Sequence, residues 1–389
     1  MKIVIAAGGR FHALNLAHQL EKRNCLKKLF ISGYTRKDKD FISSGLVCKN
    51  SYNSFLDYLF SKLRLYKFVD KSYYYVFKDN LFDHWLSKKI NKLEDVDIFV
   101  GWAHYFLNSL PVIRKTGAKI ILESGSCHIL EQQKLLQQEY DKFGLKNPAI
   151  NQRNIDKMLA EYEQADYIMT ISSFVYNSFI KQNIPKKKLL KVMCGVDVDY
   201  FLDHKPFVRN KKFRVICVGL LGLRKGIQYL LQAWSKLNMP IEQTELLLVG
   251  NLQKDLAQVL KKIKVLPNVK FFGSTNKQTL KKLYQDASLF VLPSVEDGFG
   301  MVIGEAMATG LPVICSSHTA GLDLIKNNKH GFVVSACDVD SLSQKILWCY
   351  ENRRESERMG QLGQEHVKQF SWDNYGKNVI KTYQEILDR

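Results

Sequence analysis

Short apolar, β-branched runs alternate with longer amphipathic stretches along most of the chain. The first series of runs lies at 2–7, 29–32, 98–101, 119–122 and 167–171. A second lies at 214–218, 245–249, 269–272, 289–292, 312–315 and 331–334. Few charges interrupt these runs, which is the pattern of strands covered on both faces. Helical stretches between them predict parallel, doubly wound α/β sheets. Pro206 and the polar run 209–212 break the series. The break predicts two Rossmann-like domains, residues 1–205 and 206–370. Tyr375, Val379, Ile380, Tyr383 and Ile386 recur at helical spacing. A last helix over 371–389 is therefore expected, packed back on the first domain.

Composition agrees with two cores. The chain has 389 residues, 46% of them apolar and 24% charged, which suits a folded protein too long for one ordinary core. No run approaches the roughly 18 apolar residues of a membrane span. The opening run ends in Gly8-Gly9 and reads as a strand, not a signal peptide, so a cytoplasmic protein is expected. Eight cysteines are scattered without a C-x-x-C pair, which argues for reduced, buried thiols rather than a zinc or redox site. The net charge of +19 is spread over both halves. It fits phosphorylated substrates or an anionic membrane surface, so the protein could sit peripherally on the inner face of the plasma membrane. Nucleic acid is not the expected partner. Between 51 and 85, aromatic residues interleave with Lys and Arg. Such a segment can lie on a membrane or grip an acceptor, although aromatics at helical spacing also build cores.

Two segments carry candidate chemistry. In 292–314 a strand ends at Pro293, a glycine-rich turn follows, and a helix begins near Phe299 or Gly300. Unpaired N–H groups at such a helix start, with the helix dipole, form an anion site. Gly298 and Gly300 would let the backbone approach a ligand, with Phe299 and Met301 beside them. Glu305, further along the helix, can accept hydrogen bonds from a diol such as a ribose. In 218–234 another strand, turn and helix carries Arg224 and Lys225 at the turn. Two cations there can neutralise a diphosphate, on which charge grows as it departs. With no metal site evident, these cations would replace a divalent ion, and no cofactor is expected.

Together these pieces resemble the family-4 retaining glycosyltransferases of the GT-B fold. The resemblance is best from about Ala165 onward. It rests on Ala165-Asp166, Ser172-Ser173, Gly195-Val196-Asp197 with Phe201, Arg224-Lys225-Gly226, 269–273, and Pro293-Ser294 through Gly310. The family's hallmark, an acid followed by seven residues and Glu, is here Asp297-x7-Glu305; most members have Glu at the first position. The resemblance implies that Asp297 meets the donor sugar near its reacting carbon and that Glu305 holds the nucleotide ribose. Many relatives carry Arg after the glycine that is Gly219 here. This chain has Leu220, so Arg224 and Lys225 together are expected to hold the diphosphate. By the same likeness Gly9 meets the donor, His128 lies near the reaction centre, and Arg10 and His104 belong to the acceptor side. Three Asp-Val-Asp tripeptides, at 95–97, 197–199 and 338–340, are assigned to caps and turns rather than a metal.

The implied activity is transfer of a sugar from a nucleoside diphosphate sugar, UDP- or GDP-linked, to a glycan or lipid-linked acceptor, as in cell-envelope polysaccharide synthesis. The alternatives are a nucleotide-sugar epimerase of the same fold and a non-catalytic basic protein that binds glycan or nucleic acid. A Rossmann dehydrogenase is disfavoured because no G-x-G-x-x-G follows the first strand.

Overall fold

The computed structural model describes residues 1–35, 38, 41–63, 65, 71–146, 151–202 and 212–389. Its strands are β1 Ile3–Ala7, β2 Leu26–Ser32, β3 Val47–Asn50, β4 Ile98–Trp102, β5 Lys119–Ser124, β6 Tyr167–Thr170 and β7 Leu189–Lys191. The series continues with β8 Phe213–Val218, β9 Thr244–Val249, β10 Val269–Gly273, β11 Leu289–Leu292, β12 Val313–Ser316 and β13 Gly331–Val334. They form two parallel sheets, one of seven strands in the order β3-β2-β1-β4-β5-β6-β7 and one of six in the order β10-β9-β8-β11-β12-β13. All the predicted runs became strands, and the structure adds β3 and β7 at the two edges of the first sheet. The boundary expected at 205/206 falls outside the described residues.

In each sheet the strand order reverses beside the first strand, at β1/β4 and at β8/β11. Helices leave in opposite directions there and open a crevice at the carboxyl ends of the strands. The helices between strands begin where polar caps place them. Ser172 accepts from the Val175 amide and Asp338 from the Ser341 amide, each filling a donor that the helix start leaves open.

The last helix, Trp372–Leu387, buries Tyr375, Val379, Tyr383 and Ile386. These side chains share one cluster with the apolar face of helix Ala13–Glu21 and with β1 and β4, so the chain ends on its first sheet. It returns beside the point where it left. The Val196 amide donates to the Phe370 carbonyl at 2.8 Å, and Val196 bridges to Ser371. A Cβ on the neighbouring Gly195 would sit 2.5 Å from the Trp372 ring, so only glycine admits this contact. Five of the eight cysteines are buried and all eight are free. Among the described residues, no helix is long and apolar enough to cross a membrane.

Candidate active site

The two segments singled out by sequence meet at the carboxyl end of the second sheet. The Arg224 carbonyl accepts from the Val295 amide at 3.0 Å and the Glu296 amide at 3.3 Å. Gly226 adopts φ +70°, and a Cβ there would lie 1.9 Å from the Pro293 carbonyl oxygen. Glycine is thus required both by the left-handed backbone and by the approach of one turn to the other. Gly300, at φ +75°, opens helix Met301–Ala308 in the same way. At that start the Ile303 amide donates to the Gly300 carbonyl at 2.8 Å, and the amides before it are of the kind a helix leaves without an intrahelical partner. Lys225 pairs with Asp297 across the junction.

A cleft of about 770 Å³ runs between the sheets. Gly8 and Gly9 line it from the end of β1, Trp102 and Ser124 from β4 and β5. Val218, Gly219, Lys225, Asp297, Phe299, Gly300 and Met301 line it from the second sheet. Burial alone would raise the Asp297 carboxyl, but Lys225 and Arg224 beside it hold it below the ordinary carboxylate range. The wall therefore presents an ionised carboxylate, an ammonium and a helix start. That set can bind an anion and a hydroxylated ring side by side.

Of the residues expected at the site, the cleft brings together Gly9, His104, Lys225, Asp297, Phe299, Gly300 and Met301. Five others lie elsewhere. His128 is 2% exposed and caps helix Ile129–Lys142. Its Nδ1 accepts from the Leu130 amide, its own amide donates to Ser178 Oγ at 2.8 Å, and its ring packs on Tyr162 and Phe179. Burial lowers its imidazole to about 4. His128 is thus a neutral capping residue that does not itself line the cleft.

Arg224 turns from the cleft because a stronger partner faces it: its Nε donates to Glu296 Oε2 at 2.6 Å. Glu296 is fully buried, and also accepts from the Cys127 amide at 3.3 Å and Gln132 Nε2 at 3.0 Å, so it ties the two halves together. Gly298 meets the other half of the molecule instead of a ligand. A Cβ on it would lie 2.0 Å from the Gly125 carbonyl oxygen, and Ser172 Oγ donates to its carbonyl at 2.6 Å. Arg10 is held by Asp38 through two hydrogen bonds, at 2.9 and 2.6 Å, and does not line the cleft. Glu305 sits further along the helix whose first residues form the cleft wall. It accepts from the Tyr284 hydroxyl at 3.2 Å, and burial raises it to about 7.

Two residues that sequence reasoning passed over stand in the cleft. His12 Nε2 and Glu123 Oε1 lie 2.8 Å apart, and both side chains are buried against its floor. Glu123 Oε2 and Trp102 Nε1 have no partner among the described residues. The signal was present: Glu123 is a charge inside the apolar run of β5. Glu161, fully buried, accepts from the amides of His104, Phe106 and Leu107, and so holds the His104 turn at φ +84°. Of the Asp-Val-Asp tripeptides, the last supplies the Asp338 cap, the middle one pairs Asp197 with Lys277, and the first pairs Asp95 with Lys2.

Comparison with known proteins places this geometry. Residues 201–366 match the family described as glycosyl transferases group 1. An uncharacterized glycosyltransferase of Methanocaldococcus jannaschii is 32% identical over 246 residues, 59% of this chain and 62% of that protein. The O-antigen chain mannosyltransferase B of Escherichia coli is 28% identical over 61% of this chain and 65% of that protein. The chain thus matches less than two thirds of the length of either relative. Among solved structures, HepE of Anabaena in complex with UDP and glucose superposes with a TM-score of 0.68 at 16% identity, covering 99% of both chains. Residues 201–366 are thus similar to the glycosyl transferases group 1, and the whole chain has a GT-B fold.

Proposed function

We propose that the chain transfers a sugar from a nucleoside diphosphate sugar to a glycan or lipid-linked acceptor, with retention of configuration and without a metal ion. One observation carries this reading. Lys225, Asp297 and the open helix start at Gly300 share one cleft wall at the carboxyl ends of the second sheet. A diphosphate on that wall meets an ammonium and unpaired amides, which act most strongly as charge grows on the leaving group. Asp297 is then placed to accept hydrogen bonds from the donor sugar, and Glu305, behind Met301 on the same helix, to accept them from the ribose. In the step proposed, the bond from the anomeric carbon to the diphosphate oxygen breaks. The acceptor oxygen bonds to that carbon from the same face, and its proton passes to the leaving phosphate oxygen. Lys225 and the helix start stabilise the departing charge.

The bound UDP and glucose of the Anabaena protein and the activity named for the Escherichia coli relative support this donor class. That relative's O-antigen acts as the guide to a cell-envelope glycan acceptor. The net charge of +19 supports a peripheral position on an anionic membrane.

A thermal-shift screen across UDP-, GDP- and ADP-sugars tests the donor side, since a ligand that binds only the folded chain stabilises it. One nucleotide class is expected to raise Tm. With that donor, Lys225→Ala and Glu305→Ala each reduce transfer about 100-fold or more, while EDTA leaves it unchanged. Full activity in either variant, or loss in EDTA, overturns the corresponding assignment. Free sugar or an epimerised donor as the sole product would favour the epimerase reading instead.

A further inference from the structure

Helices Lys71–Ile90 and Gln152–Gln164 form a corner of the cleft on its first-sheet side, and its polar groups are left without protein partners. Asp79 is 7% exposed and lines the cleft, yet it makes no hydrogen bond or ion pair among the described residues. The nearby cations are already used. Lys78 binds Asp57 at 2.9 and 3.0 Å, and Lys157 binds Asp83 at 3.1 Å and Asn80 at 2.9 Å. His104 Nδ1, in the same cleft, is buried without a partner. Burial keeps the His104 imidazole neutral, lowering it to about 4, and pushes the Asp79 carboxyl up to about 7.

A chain does not ordinarily bury a carboxyl and an imidazole nitrogen unpaired in its interior, because each forfeits its bonds to water. Such groups facing a cavity are ready for a ligand. That ligand must satisfy the Asp79 carboxyl and the Asn154 amide together, with the His104 ring beside them. Hydroxyls do so, because each both donates and accepts. Tyr75, on the same helix as Asp79 and also facing the cleft, adds a flat apolar surface. A pyranose has this composition, with hydroxyls around its rim and C–H groups on its faces.

We propose that Asp79, Asn154 and His104, with Tyr75 as a stacking wall, hold the sugar ring of the acceptor opposite Lys225 and Asp297. This rests on the transferase reading above. It makes the acceptor a neutral saccharide in its first ring. Tyr73 and Phe77 on the same helix are exposed.

Saturation-transfer NMR on the full chain tests this with octyl glycosides of mannose, glucose, galactose and N-acetylglucosamine. Tetraethylene glycol monooctyl ether serves as the sugar-free control. At least one glycoside is expected to bind better than the ether. Asp79→Asn and Tyr75→Ala are each expected to weaken it about tenfold or more, a loss of the size expected for one buried hydrogen-bonding or stacking partner. The Tm gain from nucleotide should be unaltered in both variants. Glycosides that bind no better than the ether, or bind both variants like the parent, overturn the proposal. Tyr75 is exposed, so its variant decides the matter if Asp79→Asn fails to fold. Absence of nucleotide stabilisation in the parent chain would bring down the transferase reading while leaving the glycoside result to stand.

Discussion

Asp79 illustrates how much a single buried carboxyl can say. Below pH 4 the folded and unfolded chains both hold its proton. Between about 4 and 7 the unfolded chain has released it and the folded chain has not, so stability falls as pH rises through that window. Glu161 and Glu305, each raised to about 7 by burial, act in the same direction. Asp79→Asn removes one of these three contributions. Its Tm advantage over the parent is expected to grow from pH 4 to 7 and then level off. An equal difference at pH 5 and pH 8, measured by calorimetry, would show that the folded chain carries Asp79 ionised. At this scale the sequence was legible where a residue broke a local rule. Lys225, Asp297 and Gly300 stand out against a strand, turn and helix pattern, and the cleft contains all three. His128 and Arg224 were misplaced because their surroundings come from distant segments. Ser178 and Phe179 enclose the first, and the second answers to Glu296, 72 residues away.

Helices Tyr52–Lys62 and Lys71–Ile90 show the same division among elements. Their aromatic content is neither all core nor all surface. Val76, Phe82, Leu86 and Ile90 are buried, whereas Tyr52, Phe55, Tyr58, Tyr73 and Phe77 are all more than half exposed. Large apolar rings beside lysines on one region of the surface are what an anionic bilayer binds, by burial of the rings and by charge. The chain is expected to sediment with vesicles of phosphatidylglycerol and phosphatidylcholine, and less with phosphatidylcholine alone. Phe55→Ser combined with Phe77→Ser should release most of it. Equal sedimentation of the variant would remove this surface from consideration. Arg64, Tyr66, Lys67 and Phe68, part of the same sequence signal, lie outside the described residues. Strand positions were legible because apolar runs record burial on both faces. β3 and β7 escaped notice because each is short, lies at an edge with one neighbour, and carries polar residues such as Lys49, Asn50 and Lys191.

In the whole molecule, the contacts between halves are the part that composition could not convey. Glu296 joins Arg224 to the Cys127 amide and Gln132, while Glu139 accepts from Gln228 at 3.0 Å and from Tyr229 at 2.6 Å. A buried carboxylate that serves several donors is costly to remove, because those donors are left unpaired. Glu296→Ala is expected to destabilise the chain by about 3 kcal/mol, at the low end for a buried ion pair because Arg224 can reach water. The radius of gyration in small-angle scattering should rise. An unchanged Tm and an unchanged scattering curve would mean that Glu296 does not hold the halves together. Two sheets were foreseeable from the two series of runs. The touching backbones of Gly298 and Gly125 were not, since each glycine also suits a turn.

The polypeptide passes from the first sheet to the second once and comes back once, and the two passages are fastened together where Val196 meets Phe370 and Ser371. A body tethered by one strand can swing freely, but one tethered by two adjacent strands pivots about them. Any opening of the cleft must then turn about this paired crossing, and the contacts that join the halves elsewhere, such as Glu296 with the Cys127 amide, must part for it to happen.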